Sequence, residues 1–168
     1  MKKIVLMLLL TMLSFGAVGA NEGKIDSTLV RLKSEYEIET MRMGGKLLRM
    51  MMPLMKMDRQ TKKAFKAMNI EEIVIADYQD KSEQIASKVT DEITKALEAE
   101  GYVVLPPQEP AQEEVKEEIK WAAYTLIEED MVYGYAILTY FPKASFLLIR
   151  CLMNVSELEK LAGMIKHE

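Results

Sequence analysis

Apolar positions along this chain recur with two different periods, about 3.6 residues in some stretches and two in others, and the changes between them outline the elements. Behind Asp26 and Ser27, either of which is a capping residue, Leu29, Val30 and Leu32 predict a short helix over Ser27–Tyr36. Ile38 to Met43 alternates, with Ile38, Thr40 and Arg42 on one side and Glu39, Met41 and Met43 on the other, a strand pattern that Gly44-Gly45 breaks. Lys46 to Lys56 reads as a helix bent or interrupted by Pro53, and Thr61 to Met68 as a further short helix. Ile70 to Tyr78 predicts a strand, because Ile73-Val74-Ile75 is a β-branched run of the kind that fills central strands.

The strongest helical signal follows. Asp80 and Glu83 have the spacing of a capping box, and Ile85, Ala86, Val89, Ile93, Ala96 and Leu97 keep the helical period. Gly101 stands where a helix end needs positive φ, and Tyr102 to Leu105 predicts a short strand beyond it. Pro106-Pro107-Gln108-Glu109-Pro110 prevents regular structure, and the acidic stretch to Glu118 reads as a solvated loop or short helix within the domain. Three β-rich segments come next, Trp121–Glu128, Val132–Phe141 and Ser145–Met153, joined by connections so short that neighbouring strands must run antiparallel. Ser156 and Glu159 form a second capping box, and Leu158, Leu161, Ala162 and Ile165 line one side of a closing helix. The expected fold class is α+β: a single mainly antiparallel sheet of about five strands with helices packed on one face, and a C-terminal three-stranded meander followed by a helix.

The first twenty residues do not belong to that domain. Lys2 and Lys3 precede an almost wholly apolar run from Ile4 to Phe15, and the small residues Gly16 to Ala20 follow, the three-part layout of a secretory signal peptide. A twelve-residue helix spans about 18 Å, short of the roughly 30 Å of bilayer hydrocarbon, which argues against an uncleaved anchor. Cleavage is expected after Ala20. Asn21 occupies the position where a lipoprotein would carry its acylated cysteine, so the expected destination is the periplasm or beyond, with no stable membrane anchor. The mature chain of 148 residues, 21–168, would then be one domain. A chain of that size buries roughly 68–70% of its unfolded surface, enough for a core without disulfides.

Composition narrows the chemistry. The whole chain carries 22 Lys and Arg against 26 Asp and Glu, a formal charge of −4, and nucleic acid is an unsuitable partner for it. One cysteine, Cys151, excludes multi-cysteine metal sites, and its apolar strand gives it the character of a small hydrophobe. The one histidine, His167, lies beside the C-terminus, far from a useful base position, and complements the negative end of the last helix. Glu71-Glu72, Glu113-Glu114 and Glu128-Glu129-Asp130 are too ordinary to single out an acid and base pair, and Gly44-Gly45 lacks the spacing of a phosphate loop. The aromatic residues Trp121, Tyr124, Tyr133, Tyr135, Tyr140 and Phe141 gather in the meander, where facing pairs are expected to lock register.

Methionine is the outlier. Seven of the 14 lie between Met41 and Met57. Thioether sulfur suits Cu(I), and Met41, Met43, Met51 and Met55 are the candidate ligands, Met51 and Met55 sharing a helical face. The alternative is that methionine fills irregular gaps or forms an adaptable contact surface, with Leu47, Met50, Met51 and Leu54 as candidate contact residues. Lys46, Arg49 and Lys56 among Leu and Met also suggest a membrane-surface helix, but few cations, an interrupting proline and no interfacial aromatic favour a half-buried helix.

The leader, the Met- and Leu-rich early segment, the strand and helix of Ile73-Val-Ile-Ala-Asp77 and Asp80-Lys-Ser-Glu83, and the closing Phe146-Leu-Leu-Ile-Arg and Asn154-Val-Ser-Glu-Leu-Glu-Lys-Leu161 together resemble the DUF4252 family, small exported proteins of Bacteroidetes-type bacteria. The resemblance spans nearly the whole mature chain and rests on layout and hydrophobic pattern. It implies an envelope location, carries no catalytic signature and supplies no functional residues. The expectation is a non-catalytic exported module that needs no cofactor and binds a protein partner in the cell envelope, with periplasmic Cu(I) binding as the alternative.

Overall fold

The structure, a computed structural model, describes residues 23–54, 59–106 and 120–157. In chain order these form α1 (Lys24–Tyr36), β1 (Glu39–Gly44), α2 (Gly45–Met51), α3 (Arg59–Ala67), β2 (Ile70–Asp77), α4 (Glu83–Ala99), β3 (Val103–Val104), β4 (Trp121–Glu128), β5 (Met131–Thr139) and β6 (Ser145–Asn154). Residues 155–157 begin a further helix. The leader, Met55, the Pro/Glu stretch from Pro107, His167 and the apolar stripe from Leu158 lie outside the described residues.

The molecule is α+β, with one antiparallel sheet in the order β1-β2-β6-β5-β4-β3. There are six strands rather than about five. The pairing of β2 with β6 joins the early half of the chain to the meander, in a register that runs from Ile73↔Ile149 to Asp77↔Ser145.

Alternation sends each strand's side chains to two faces. On the first, Val74, Ala76, Ala136, Leu138, Phe146 and Leu148 meet Ile25, Leu29 and Leu32 of α1 and Ala86, Val89, Ile93 and Leu97 of α4. Most of these are fully buried, and each large side chain contributes about 1.5–3 kcal/mol by leaving water. On the second face, the row Met43, Ile73, Ile149 and Tyr135 packs with Leu47, Leu48 and Met51 of α2 and Phe65 of α3. The two long helices thus cover one face, and the short α2 and α3 cover one end of the other.

Helix ends follow local rules where the partner is near in sequence, and tertiary ones where it is not. At the end of α4, Gly101 has φ of 91°, Gly101 N–H bonds Glu98 O at 3.0 Å and Tyr102 N–H bonds Leu97 O at 3.0 Å. That is the Schellman pattern, with Leu97 and Tyr102 both in the core. The start of α4 corrects the expected capping box: Ser82 is the N-cap, its Oγ accepting from Ile85 N–H at 3.4 Å, because Asp80 sits in the preceding turn with Lys81. Asn154, not Ser156, caps the last helix, accepting from Ser156 N–H at 2.9 Å. Neither Asp26 nor Ser27 caps α1. The helix begins after Gly23, and Glu100, seventy-five residues away, accepts Ile25 N–H at 2.7 Å.

Candidate functional site

On the second face, beyond the part covered by α2, one row of side chains crosses five strands without a polar interruption. Met41 pairs Ile75, Ile75 pairs Leu147, Leu147 pairs Ile137 and Ile137 pairs Ala123. Four of them are half-buried and Ile137 is 38% exposed. In the next row away from α2, Trp121 is 50% exposed opposite Thr139. β-branched and aromatic residues belong on a pleated surface, so the row forms for the same reason that the strands do; its apolar side chains have no helix above them among the described residues.

The Met-rich segment is divided between burial and solvent. Met43 is buried and Met51 half-buried in the cluster built around Leu48, Ile70, Val132 and Cys151, to which Met68 is added. Met41 joins the open row two residues from Met43. Leu47 packs with Met51 against the cluster, whereas Met50 is 74% and Leu54 84% exposed. The four candidate contact residues therefore split into a half-buried pair and an exposed pair. Cys151 lies in the interior as expected, and burial pushes its thiol up to about 11, with the Glu71 carboxylate adding to the shift, so the thiolate is absent near neutral pH.

Among the described residues no two aromatics are direct register partners, although the Tyr124 and Tyr140 side chains hydrogen-bond to each other. Tyr124 opposes Ala136, Tyr135 opposes Thr125 and Ile149, and Trp121 opposes Thr139. On the first face the register sets Tyr124 against the small Ala136, whereas on the second Tyr135 meets Ile149 within the cluster under α2.

A second region lies where three strands depart from regular pairing. Glu71 has no β6 partner between the pairs Ile70↔Cys151 and Glu72↔Arg150. Tyr133 has none on β4 between Leu126↔Gly134 and Ile127↔Val132, and on β6 Cys151 and Leu152 stand against it between Arg150 and Met153. Bulges re-aim side chains. Here they frame a cavity of about 330 Å³ that also takes in Glu100, Tyr102 and Arg150.

Beside it runs a ring of ion pairs. Asp26 accepts from Arg42 at 2.5 Å and from Arg150 at 2.9 Å, and Glu72 pairs with the same two guanidiniums, bonding Arg150 closely and Arg42 at 3.6 Å. Burial disfavours the charge on Arg150, but Asp26 and Glu72 outweigh it and hold the guanidinium above its ordinary range. The ring ties the first turn of α1 to β1, β2 and β6. Nothing in the sequence announced it, since its members are spread from position 26 to position 150.

Among the described residues no three His, Cys, Asp or Glu side chains group as metal ligands would, and no helix is long and apolar enough to cross a membrane. Compared with protein-family models, with curated proteins and with solved structures, the chain matches none.

Proposed function

We propose that the protein is a non-catalytic binding module, exported to the cell envelope, that takes an apolar segment of a protein partner on the second face of its sheet. The observation that carries this reading is the row Met41, Ile75, Leu147, Ile137 and Ala123. Apolar positions on a sheet that has long helices to spare for its other face are the form that a contact surface takes. The exposed Met50 and Leu54 of the α2 region extend the apolar surface with flexible side chains able to adapt to a partner. Export follows from the leader pattern of residues 1–20, and the resemblance to the DUF4252 family belongs to the same reading. The one reactive thiol is held neutral in the interior, and Glu100, the half-buried carboxylate of the cavity, is engaged by the α1 amide.

The test is a photo-crosslinking amino acid placed at Ile137 in growing cells, with a second chain carrying it at Lys88, exposed on α4, as control. A discrete heavier adduct from position 137, absent from position 88, is expected. Identical patterns from both positions, or no adduct from either, would remove the proposal.

A second reading, periplasmic Cu(I) binding, draws on one observation: Met43, Met51, Met68 and Cys151 occupy a single cluster. Anaerobic Cu(I) titration decides it. Stoichiometric binding lost on Met43→Leu supports the metal; binding unchanged by that replacement, or no binding, leaves these sulfurs as packing.

A further inference from the structure

We propose that the cavity framed by the three bulges binds a small organic cation, an alkylammonium or arylammonium whose apolar body lies on Leu126 and Leu152. The proposal is independent of the protein-binding surface. Its starting point is Tyr102, which lines the cavity, is only 4% exposed and has no hydrogen-bond partner for its hydroxyl among the described residues. The hydroxyl is not a sealed polar atom: it opens on the cavity, so its donor and acceptor capacity is available to whatever enters there.

The backbone makes room for this hydroxyl. A Cβ at Gly134 would stand 2.3 Å from Tyr102 Oη and 3.1 Å from Ile149 O, so any larger residue would expel the ring from its place. The Schellman turn at Gly101 aims the ring from the end of α4, and the bulges bring Glu71, Leu152 and Tyr133 to the same space. Elements distant in sequence thus converge on one small volume, at the lower end of the range of ligand pockets.

Charge selects the ligand. Arg150 is already held by Asp26 and Glu72, and Arg42 by the same two carboxylates. Adding Glu71 and Glu100, which line the cavity, gives four carboxylates against two guanidiniums, a surplus of negative charge that attracts cations and repels anions. An ammonium at this edge donates to the carboxylates and to Tyr102 Oη, while Tyr133 offers a further ring for the cation. Burial pushes the Tyr102 hydroxyl up to about 12, so it stays neutral at any physiological pH and adds no charge of its own.

The experiment titrates the purified chain with hexylammonium, and with hexanoate as a probe of like size and opposite charge, following backbone amide shifts by NMR. Hexylammonium is expected to bind at millimolar concentration or below and to shift residues 71, 102, 126, 134 and 152. Hexanoate is expected to bind about tenfold more weakly or not at all. Tyr102→Phe and Glu71→Gln each remove one polar contact and should weaken hexylammonium about fivefold. Tyr102→Phe keeps the ring and Glu71 is exposed, so both variants should melt as the parent does, which makes the binding comparison readable. Equal binding of the two probes, parental affinity in both variants, or no shifts around the cavity with any probe would overturn the proposal.

Discussion

The two faces of the sheet are made from the same strands and treated in opposite ways. Leu147 and Leu148 are neighbours on β6, yet Leu148 is fully buried under α1 and α4 while Leu147 is half-exposed in the open row. The first face has two long amphipathic helices for cover; among the described residues the second has α2, α3 and, at Val155, the start of the last helix, which reach the cluster of Met43, Ile73, Ile149 and Tyr135 but not the row beyond. Among the described residues the first face is closed by its helices, whereas the second keeps an apolar excess beyond the reach of α2 and α3. Such an excess is what the proposed contact surface rests on.

The largest expected effect tests this contrast directly. Leu148→Ala removes a side chain from a site where α1, α4 and three strands meet, and should cost about 2–5 kcal/mol of stability in urea unfolding. Leu147→Ala, one residue away on the other face, should cost about 1 kcal/mol or less, because solvent already reaches it and fills the space. Equal losses would mean that the second face is as closed as the first, and the distinction between them would fail.

That contrast was only partly legible in the sequence. Ile85, Val89, Ile93 and Leu97 have a period that only a helix satisfies, Ile73-Val74-Ile75 needs a strand, and Gly101 marks a turn with positive φ, so these elements are found where local pattern places them. The meander follows from connections too short for any other path. What pattern does not carry is the identity of a distant neighbour. The β2–β6 pairing, the capping of α1 by Glu100 and the ring of Asp26, Arg42, Glu72 and Arg150 each join residues whose spacing in the chain bears no relation to their spacing in the fold. The cavity was hidden for a further reason. A bulge adds one residue to one strand, and nothing in the alternation around Glu71 or Tyr133 marks which residue is extra. The methionines were visible as a group, but their division between Met43 in the interior and Met50 in solvent depends on how α2 docks.

Alkaline pH offers a second, smaller probe of the two faces. Burial raises Tyr78 and Tyr102, packed on the first face, to about 12, and also Tyr135 in the cluster of the second; Cys151 in that cluster is raised to about 11. In the unfolded chain a tyrosine loses its proton near pH 10 and a cysteine near 9, so above those values the unfolded state holds fewer protons than the folded one. The sign is then fixed: the stability from these groups is complete below about pH 9 and falls as pH rises through 11 to 12. Tyr78, fully buried, should account for about 2 kcal/mol at pH 12. Urea midpoints measured from pH 7 upward should decline along this window, and Tyr78→Phe and Tyr135→Phe should each flatten the decline.

The same two tyrosines give the finest comparison at neutral pH, where both are protonated. Tyr78 Oη and Thr90 Oγ1 lie 3.1 Å apart in the interior, each satisfying the other. Tyr78→Phe keeps the ring but leaves Thr90 buried without that bond, and should lower stability by about 1 kcal/mol. Tyr135 carries a buried hydroxyl with no partner, so its removal costs no hydrogen bond and relieves the desolvation of a polar atom. Tyr135→Phe should therefore leave the urea midpoint unchanged or raise it slightly. A loss as large as that of Tyr78→Phe would show that the second face holds its tyrosine by a bond that the first face was taken to monopolise, and would draw the two sides of the sheet closer in kind than their exposure suggests.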